Sequence, residues 1–110
     1  ASDFNSMRMA LANARRSVRD IDFISAWGPG HKRIDATEAY ALRKVFGAAL
    51  DQIPVTSIKG SIGSPMAAAG AIQVASTALA MKHGILPPTV NWRTPDPDCA
   101  LNLSAEPRRI

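Results

Sequence analysis

From Asp3 the apolar residues Phe4, Met7, Leu11, Ala14 and Val18 recur at steps of three and four. That spacing sets them on one face of a predicted helix and turns Arg8, Arg15 and Arg19 away from it. Asp3 stands where an N-cap belongs. The pattern then shortens: Ile21-Asp22-Phe23-Ile24-Ser25-Ala26 is a β-rich run that ends at Gly28 and Gly30. Asp35 with Glu38 reads as a capping-box variant, and Leu42, Val45, Phe46 and Ala49 form the buried stripe of a second predicted helix.

The same order repeats. Val55-Thr56-Ser57-Ile58 predicts a strand, and Lys59-Gly60-Ser61-Ile62-Gly63-Ser64-Pro65 a loop whose glycines permit close backbone approach. An alanine-rich helix is predicted from about Met66 to His83, stopped by Gly84 at a C-cap position. It is apolar nearly all round, broken only by Gln73, Ser76, Thr77 and Lys82, so burial on several sides is expected. Pro87-Pro88 ends regular structure, Thr94 to Asp98 reads as a turn, and Ala100-Leu101-Asn102-Leu103 as one more short strand. Strand, helix, strand, helix order predicts an α/β layer fold with a largely parallel sheet. Sites in such folds form at the carboxyl ends of the strands, where both glycine-containing loops fall.

Composition narrows the classes. The chain has 110 residues, 46% apolar and 20% charged, which suits one globular domain burying roughly two-thirds of its unfolded surface. No apolar run approaches the ~20 residues of a membrane span, and Ala1-Ser2-Asp3 opens without a signal pattern, so a cytoplasmic location and no membrane partner are expected. The lone Cys99 has no disulfide partner and no Cys or His at metal-ligand spacing, so no metal is expected. The net charge of +4 gathers in part at Arg8, Arg15, Arg16 and Arg19, but stacking aromatics do not interleave with it. A nucleic-acid partner is therefore not expected, and the arginines read as a solvated face or as a docking surface for an acidic partner.

The chemistry-bearing stretch is Ala26-Trp27-Gly28-Pro29-Gly30-His31, with Asp35 and Glu38 beyond it. It resembles the Ala-His-Gly-Thr active-site loop of β-ketoacyl-acyl-carrier-protein synthases. The resemblance extends through Asp20-Ile21-Asp22-Phe23-Ile24, Val45-Phe46-Gly47, and Ser57-Ile58-Lys59 to Ala68-Ala69-Gly70. It continues in Gly84-Ile85-Leu86-Pro87-Pro88-Thr89-Val90-Asn91 and Pro95-Asp96-Pro97-Asp98-Cys99. Several motifs in one order make a strong signal where one would be weak. The resemblance implies a thiolase-like layered α/β fold, of which residues 1–110 would be part of the C-terminal half. The N-terminal half with the family's nucleophilic cysteine, and the final strands, would lie outside it. Uncovered apolar surface is then expected.

In that family a cysteine takes the acyl chain, a malonyl unit on acyl carrier protein is decarboxylated, and the carbanion joins the acyl group. Two histidines donate hydrogen bonds to the developing oxyanion, each worth ~3 kcal/mol. Here the first histidine position is Trp27, whose indole donates but exchanges no proton near neutral pH. The second is Ser64, and a glutamate the family often carries further on is Gln73. Lys59 and Glu38 are retained, as is Asp35. His31 lies further along the loop, too far to replace the imidazole.

Plainer readings stand beside these. Trp27 plugs the old pocket, Lys59 and Glu38 form a structural ion pair, Cys99 is a partly buried loop thiol, and His83 favours a helix dipole. Gly60 to Gly63 lacks the ending of a phosphate loop. The resemblance implies no cofactor. Two functions remain: a non-catalytic ketosynthase-like subunit resembling chain-length factors, or an acyltransferase with a modified site. Its partners would be acyl carrier protein and a ketosynthase, or a second copy of itself.

Overall fold

The computed structural model describes residues 2–110. Ala1, the first residue of the opening stretch that lacks a signal pattern, lies outside them. The elements run α1 (Ser2–Ala14), β1 (Ile24–Ser25), α2 (Lys32–Phe46), β2 (Val55–Thr56), α3 (Lys59–Ile62), α4 (Ala69–His83), β3 (Ile85–Leu86) and β4 (Arg108–Arg109), with short 3-10 turns between them. Strands β1 and β2 pair in parallel, Ile24 with Val55 and Ser25 with Thr56, and β3 pairs antiparallel with β4. No helix among the described residues is long and apolar enough to cross a membrane.

The core sits where α2 lies over the parallel pair. Leu42 and Phe46 come from α2, Leu50 from the 3-10 turn after it, Val55 from β2 and Ala26 from just beyond β1. Met7, Val18, Ile21, Leu101 and Leu103 pack against this cluster. Leu50 and Val55 are wholly buried, and each such side chain contributes about 1.5–3 kcal/mol relative to exposure. The apolar face of α1 is half-buried at Phe4, Met7 and Leu11, while Ala14 is exposed. Val18 belongs to the following 3-10 turn, Val18–Asp20, which carries its own capping box: Ser17 Oγ accepts from Arg19 N–H, and Ser17 N–H donates to Asp20 at 2.8 Å.

Several boundaries differ from the sequence pattern. Asp3 lies inside α1 and does not cap it. Helix α2 starts before Asp35, because His31 Nδ1 accepts from Ile34 N–H at 3.4 Å and so serves as the cap. That places Asp35 and Glu38 within the helix and frees their carboxylates for other work. The Lys59 loop closes into the helical turn α3, and the run from Met66 begins as a 3-10 turn before α4. Ala100–Leu103 lies beside β2, with Val55 N–H donating to Asn102 O at 2.9 Å, yet extends into no ladder. Arg108 takes that role from the side: its guanidinium donates to Asn102 O at 2.9 Å and to Val55 O at 2.8 Å.

Helix α4 ends as expected at Gly84, in the left-handed region at φ +67°. The expected burial of α4 on several sides does not occur. Only Ala80 is buried, whereas Val74 is 71% and Met81 67% exposed. With Ile72, Leu79 and the preceding Met66 also exposed, the helix presents an apolar surface.

Candidate functional site

Both strands of the parallel pair end in loops that face each other. After β1, the backbone amides of Trp27 and Gly28 donate to the two oxygens of Glu38, at 2.7 and 2.9 Å. A carboxylate can accept both bonds because both of its oxygens are acceptors. This clamp fixes the loop on α2. Gly28 sits at φ +44°, and a Cβ there would lie 2.7 Å from both Cβ and Oγ of Ser57. Ser57, after β2, uses that proximity: its hydroxyl donates to Gly28 O at 2.9 Å, and its backbone N–H donates to Thr89 Oγ1 at 3.2 Å.

Lys59 opens α3 and is only 6% exposed. Its Nζ donates to Gln73 Oε1 on α4 at 3.0 Å. The other end of that amide donates to Ala26 O at 2.9 Å and Ser25 O at 3.2 Å. The carbonyl partners fix which end of Gln73 is which, since only Nε2 has protons to give them. Burial pushes the Lys59 amine down from its ordinary value, and the negative charge of Glu38 opposes that. The expected Lys59–Glu38 ion pair is absent: both Glu38 oxygens are engaged by amides, and the one ion pair among the described residues joins Arg43 to Asp51.

These groups border a cleft of about 470 Å³, whose walls include Gly28, Lys32, Asp35, Glu38, Ser57, Lys59, Thr89, Asn91, Asp96 and Cys99. Gly60 lines it as well, and a Cβ at Gly60 would run into the Val90 carbonyl. Cys99 is half-buried and its thiol donates to Asp35 O at 3.6 Å. Burial pushes that thiol up, and Asp35, Asp96 and Glu38 push it further. Asp35 Oδ1 is buried with no hydrogen-bond partner among the described residues, which also hold no cluster of His, Cys, Asp or Glu able to bind a metal.

The six positions singled out by sequence therefore divide. Asp35, Glu38 and Lys59 line the cleft, and Gln73 reaches it through Lys59. Trp27 is 47% exposed and does not plug this space. It lines a separate hollow of about 390 Å³ with Asp3, His31, Arg33, Ile34 and Thr37. Ser64 is exposed and lines neither. Ser57 and Thr89 fall within the family-like motifs but carry no site role in the sequence reading, and only the close approach of Gly28 reveals Ser57 as the residue that joins the two loops.

Residues 1–93 match the family model described as beta-ketoacyl synthase, C-terminal domain. The chain belongs to the β-ketoacyl synthase family. This ketosynthase-family chain is 41% identical over 93 residues to the tetracenomycin polyketide synthase ketoacyl synthase alpha subunit of Streptomyces glaucescens, which covers 84% of the chain and 22% of that relative. Among solved structures it resembles the ishigamide ketosynthase/chain length factor, with 38% identity and a TM-score of 0.88 over 94% of the chain and 25% of that protein. It also resembles a type II polyketide ketosynthase in complex with its acyl-carrier protein, with 32% identity and a TM-score of 0.93 over 97% and 26%. The fold is thiolase-like, and the chain spans about a quarter of the length of these relatives.

Proposed function

We propose that this chain is part of a ketosynthase-fold protein of polyketide or fatty acid biosynthesis that does not carry out decarboxylative condensation and acts as the partner of an active ketosynthase. The observation that carries this reading is that, among the described residues, no imidazole hydrogen-bonds to Lys59 or Gln73. The two histidine positions hold Trp27, which lines a different hollow, and the exposed Ser64, while His31 is used as the cap of α2. Without those donors the developing enolate oxyanion has no preorganised partner, a loss of about 3 kcal/mol for each. Glu38, through the Trp27 and Gly28 amides, and Lys59, through Gln73, then keep the loops in shape.

The partners follow from the same reading. A structural relative is described as a ketosynthase/chain length factor and another as a ketosynthase with its acyl-carrier protein. Acyl carrier protein is the partner proposed for the exposed face of Arg8, Arg15, Arg16 and Arg19. The uncovered apolar surface of α4 supports residues 1–110 being a partial domain completed by the other half of the fold. The pairing is with an active ketosynthase or a second copy, in the cytoplasm. Malonyl-carrier decarboxylation by the full-length protein, assayed alone and with an active ketosynthase, tests the proposal; turnover by the protein alone well above background would sink it.

A second reading has one observation in its favour: the 41% identical relative is named an alpha ketoacyl synthase subunit. An acyltransferase with a modified site would transfer acyl groups without decarboxylation, and acyl transfer from carrier to carrier in the absence of malonyl loss would reveal it.

A further inference from the structure

We propose that Lys59 is an acylation site, whose side-chain amine takes an acyl group from a thioester bound in the cleft between the β1 and β2 loops. Three observations converge on it. Lys59 lines the cleft and is only 6% exposed, so whatever reaches its side chain comes by way of the cleft. No carboxylate makes an ion pair with it among the described residues, because Glu38 spends both oxygens on the Trp27 and Gly28 amides. Among the described residues the one hydrogen-bond partner of its amine is the neutral Oε1 of Gln73, which cannot turn away without losing the bonds from Nε2 to Ser25 O and Ala26 O.

The carboxamide is what makes the amine usable. A carboxylate at position 73 would hold the proton on the amine by charge. A carboxamide holds the ammonium less strongly than a carboxylate would and can also accept from a neutral amine, in which case the nitrogen keeps a free lone pair. Burial favours that neutral form, against the charge of Glu38. The other charged groups around the cleft are Lys32 and Asp35 on α2 and Asp96 in the turn before Cys99. In the reaction the amine nitrogen attacks the thioester carbonyl, the carbon–nitrogen bond forms, and the carbon–sulfur bond breaks. The thiol leaves with the proton shed by nitrogen, and Lys59 carries an uncharged amide. The inference rests on the proposed function only for the choice of a thioester as acyl donor; it holds whether or not the site condenses.

The test treats the full-length protein with S-acetyl-N-acetylcysteamine and follows each lysine by peptide mass mapping. Lys59 is expected to be acetylated about tenfold faster than Lys44 and Lys82, which lie outside the cleft and serve as internal references. Gln73→Glu is expected to slow Lys59 by about tenfold and leave the two references unchanged, which a general loss of folding would not do. Lys59→Arg removes the fast adduct. Labelling of Lys59 no faster than the references, or equal rates in Gln73→Glu, overturns the proposal. Selective reaction with p-nitrophenyl acetate but none with the thioester overturns it too, by showing a reactive amine in a cleft that does not accept thioesters. Malonyl decarboxylation is read separately, so failure of the proposed function is told apart from failure of this site.

Discussion

Gly28 and Ser57 approach so closely that the first cannot carry a side chain: a Cβ on Gly28 would lie 2.7 Å from the Ser57 Cβ. The contact locks the loop after β1 to the loop after β2, and the Ser57 hydroxyl completes it by donating to Gly28 O at 2.9 Å. Gly28→Ala is expected to cost about 2 kcal/mol, from the collision together with the positive φ. Ser57→Gly in the same molecule removes the Cβ that collides, so the double variant should recover part of the loss. A denaturant midpoint for each single and the double variant gives the coupling; strict additivity would show that the contact does not govern the loop.

Glu38 offers a second handle on the same loop. Its two oxygens accept from consecutive amides, and Glu38→Gln leaves one amide facing an N–H donor. The expected loss is about 1.5–3 kcal/mol, the range for hydrogen bonds to charged groups. Hydrogen exchange at Trp27 and Gly28 should accelerate while exchange across α1 stays as it was. Uniform acceleration over the whole chain would mean that Glu38 supports global stability and not this loop.

How much of this was open to sequence reading depends on what each residue answers to. The Leu42 and Phe46 stripe is legible because helical period and burial coincide on α2. The start of α2 is not, because a histidine ring nitrogen took the cap that Asp35 was expected to provide. Gly60 reads as a loop glycine but lies inside α3, where it is required by the Val90 carbonyl across the cleft, a contact between distant residues that no local pattern carries. Trp27 and Ser64 were identifiable as departures from a motif, but their exposure depends on packing that a motif does not encode. The role of Gln73 likewise needed the positions of Ser25 and Ala26.

Helix α4 offers a test of the proposal that residues 1–110 are a partial domain. Val74 is 71% exposed, so Val74→Asp should change the stability of the 110-residue chain by no more than about 0.5 kcal/mol. If the rest of the fold covers α4, the same substitution buries a charge in the full-length protein and lowers its melting temperature sharply. Equal small effects in both would show that α4 stays uncovered.

Cys99 supplies a pH test. Burial, then Asp35, Asp96 and Glu38, raise its thiol above the ordinary value, so the folded state favours the protonated form. Whatever stability this contributes is present below the unfolded thiol's value and is lost as pH rises through the folded value. Because the thiolate is the nucleophile, iodoacetamide should modify Cys99 more slowly than a free cysteine at the same pH, with its rate inflection displaced to higher pH. Unfolding in denaturant should abolish the difference. A folded-state inflection at or below that of free cysteine would contradict the electrostatics of the cleft.

Restoring the histidines asks whether the retained scaffold still fits the chemistry. Glu38 holds the backbone of residues 27 and 28, and Lys59 is tied through Gln73 to the end of β1, whereas Ser64 is exposed and lines neither hollow. Residues that act as a unit are strongly non-additive, so Trp27→His or Ser64→His alone should leave malonyl-carrier decarboxylation by the full-length protein near background. The double variant regains two oxyanion donors, each worth on the order of 100-fold, and should raise decarboxylation measurably. Release of labelled carbon dioxide from malonyl carrier protein reads the outcome. If the double variant stays at background while its circular dichroism and melting temperature match the parent, the departures at Trp27 and Ser64 do not by themselves account for the proposed lack of decarboxylation.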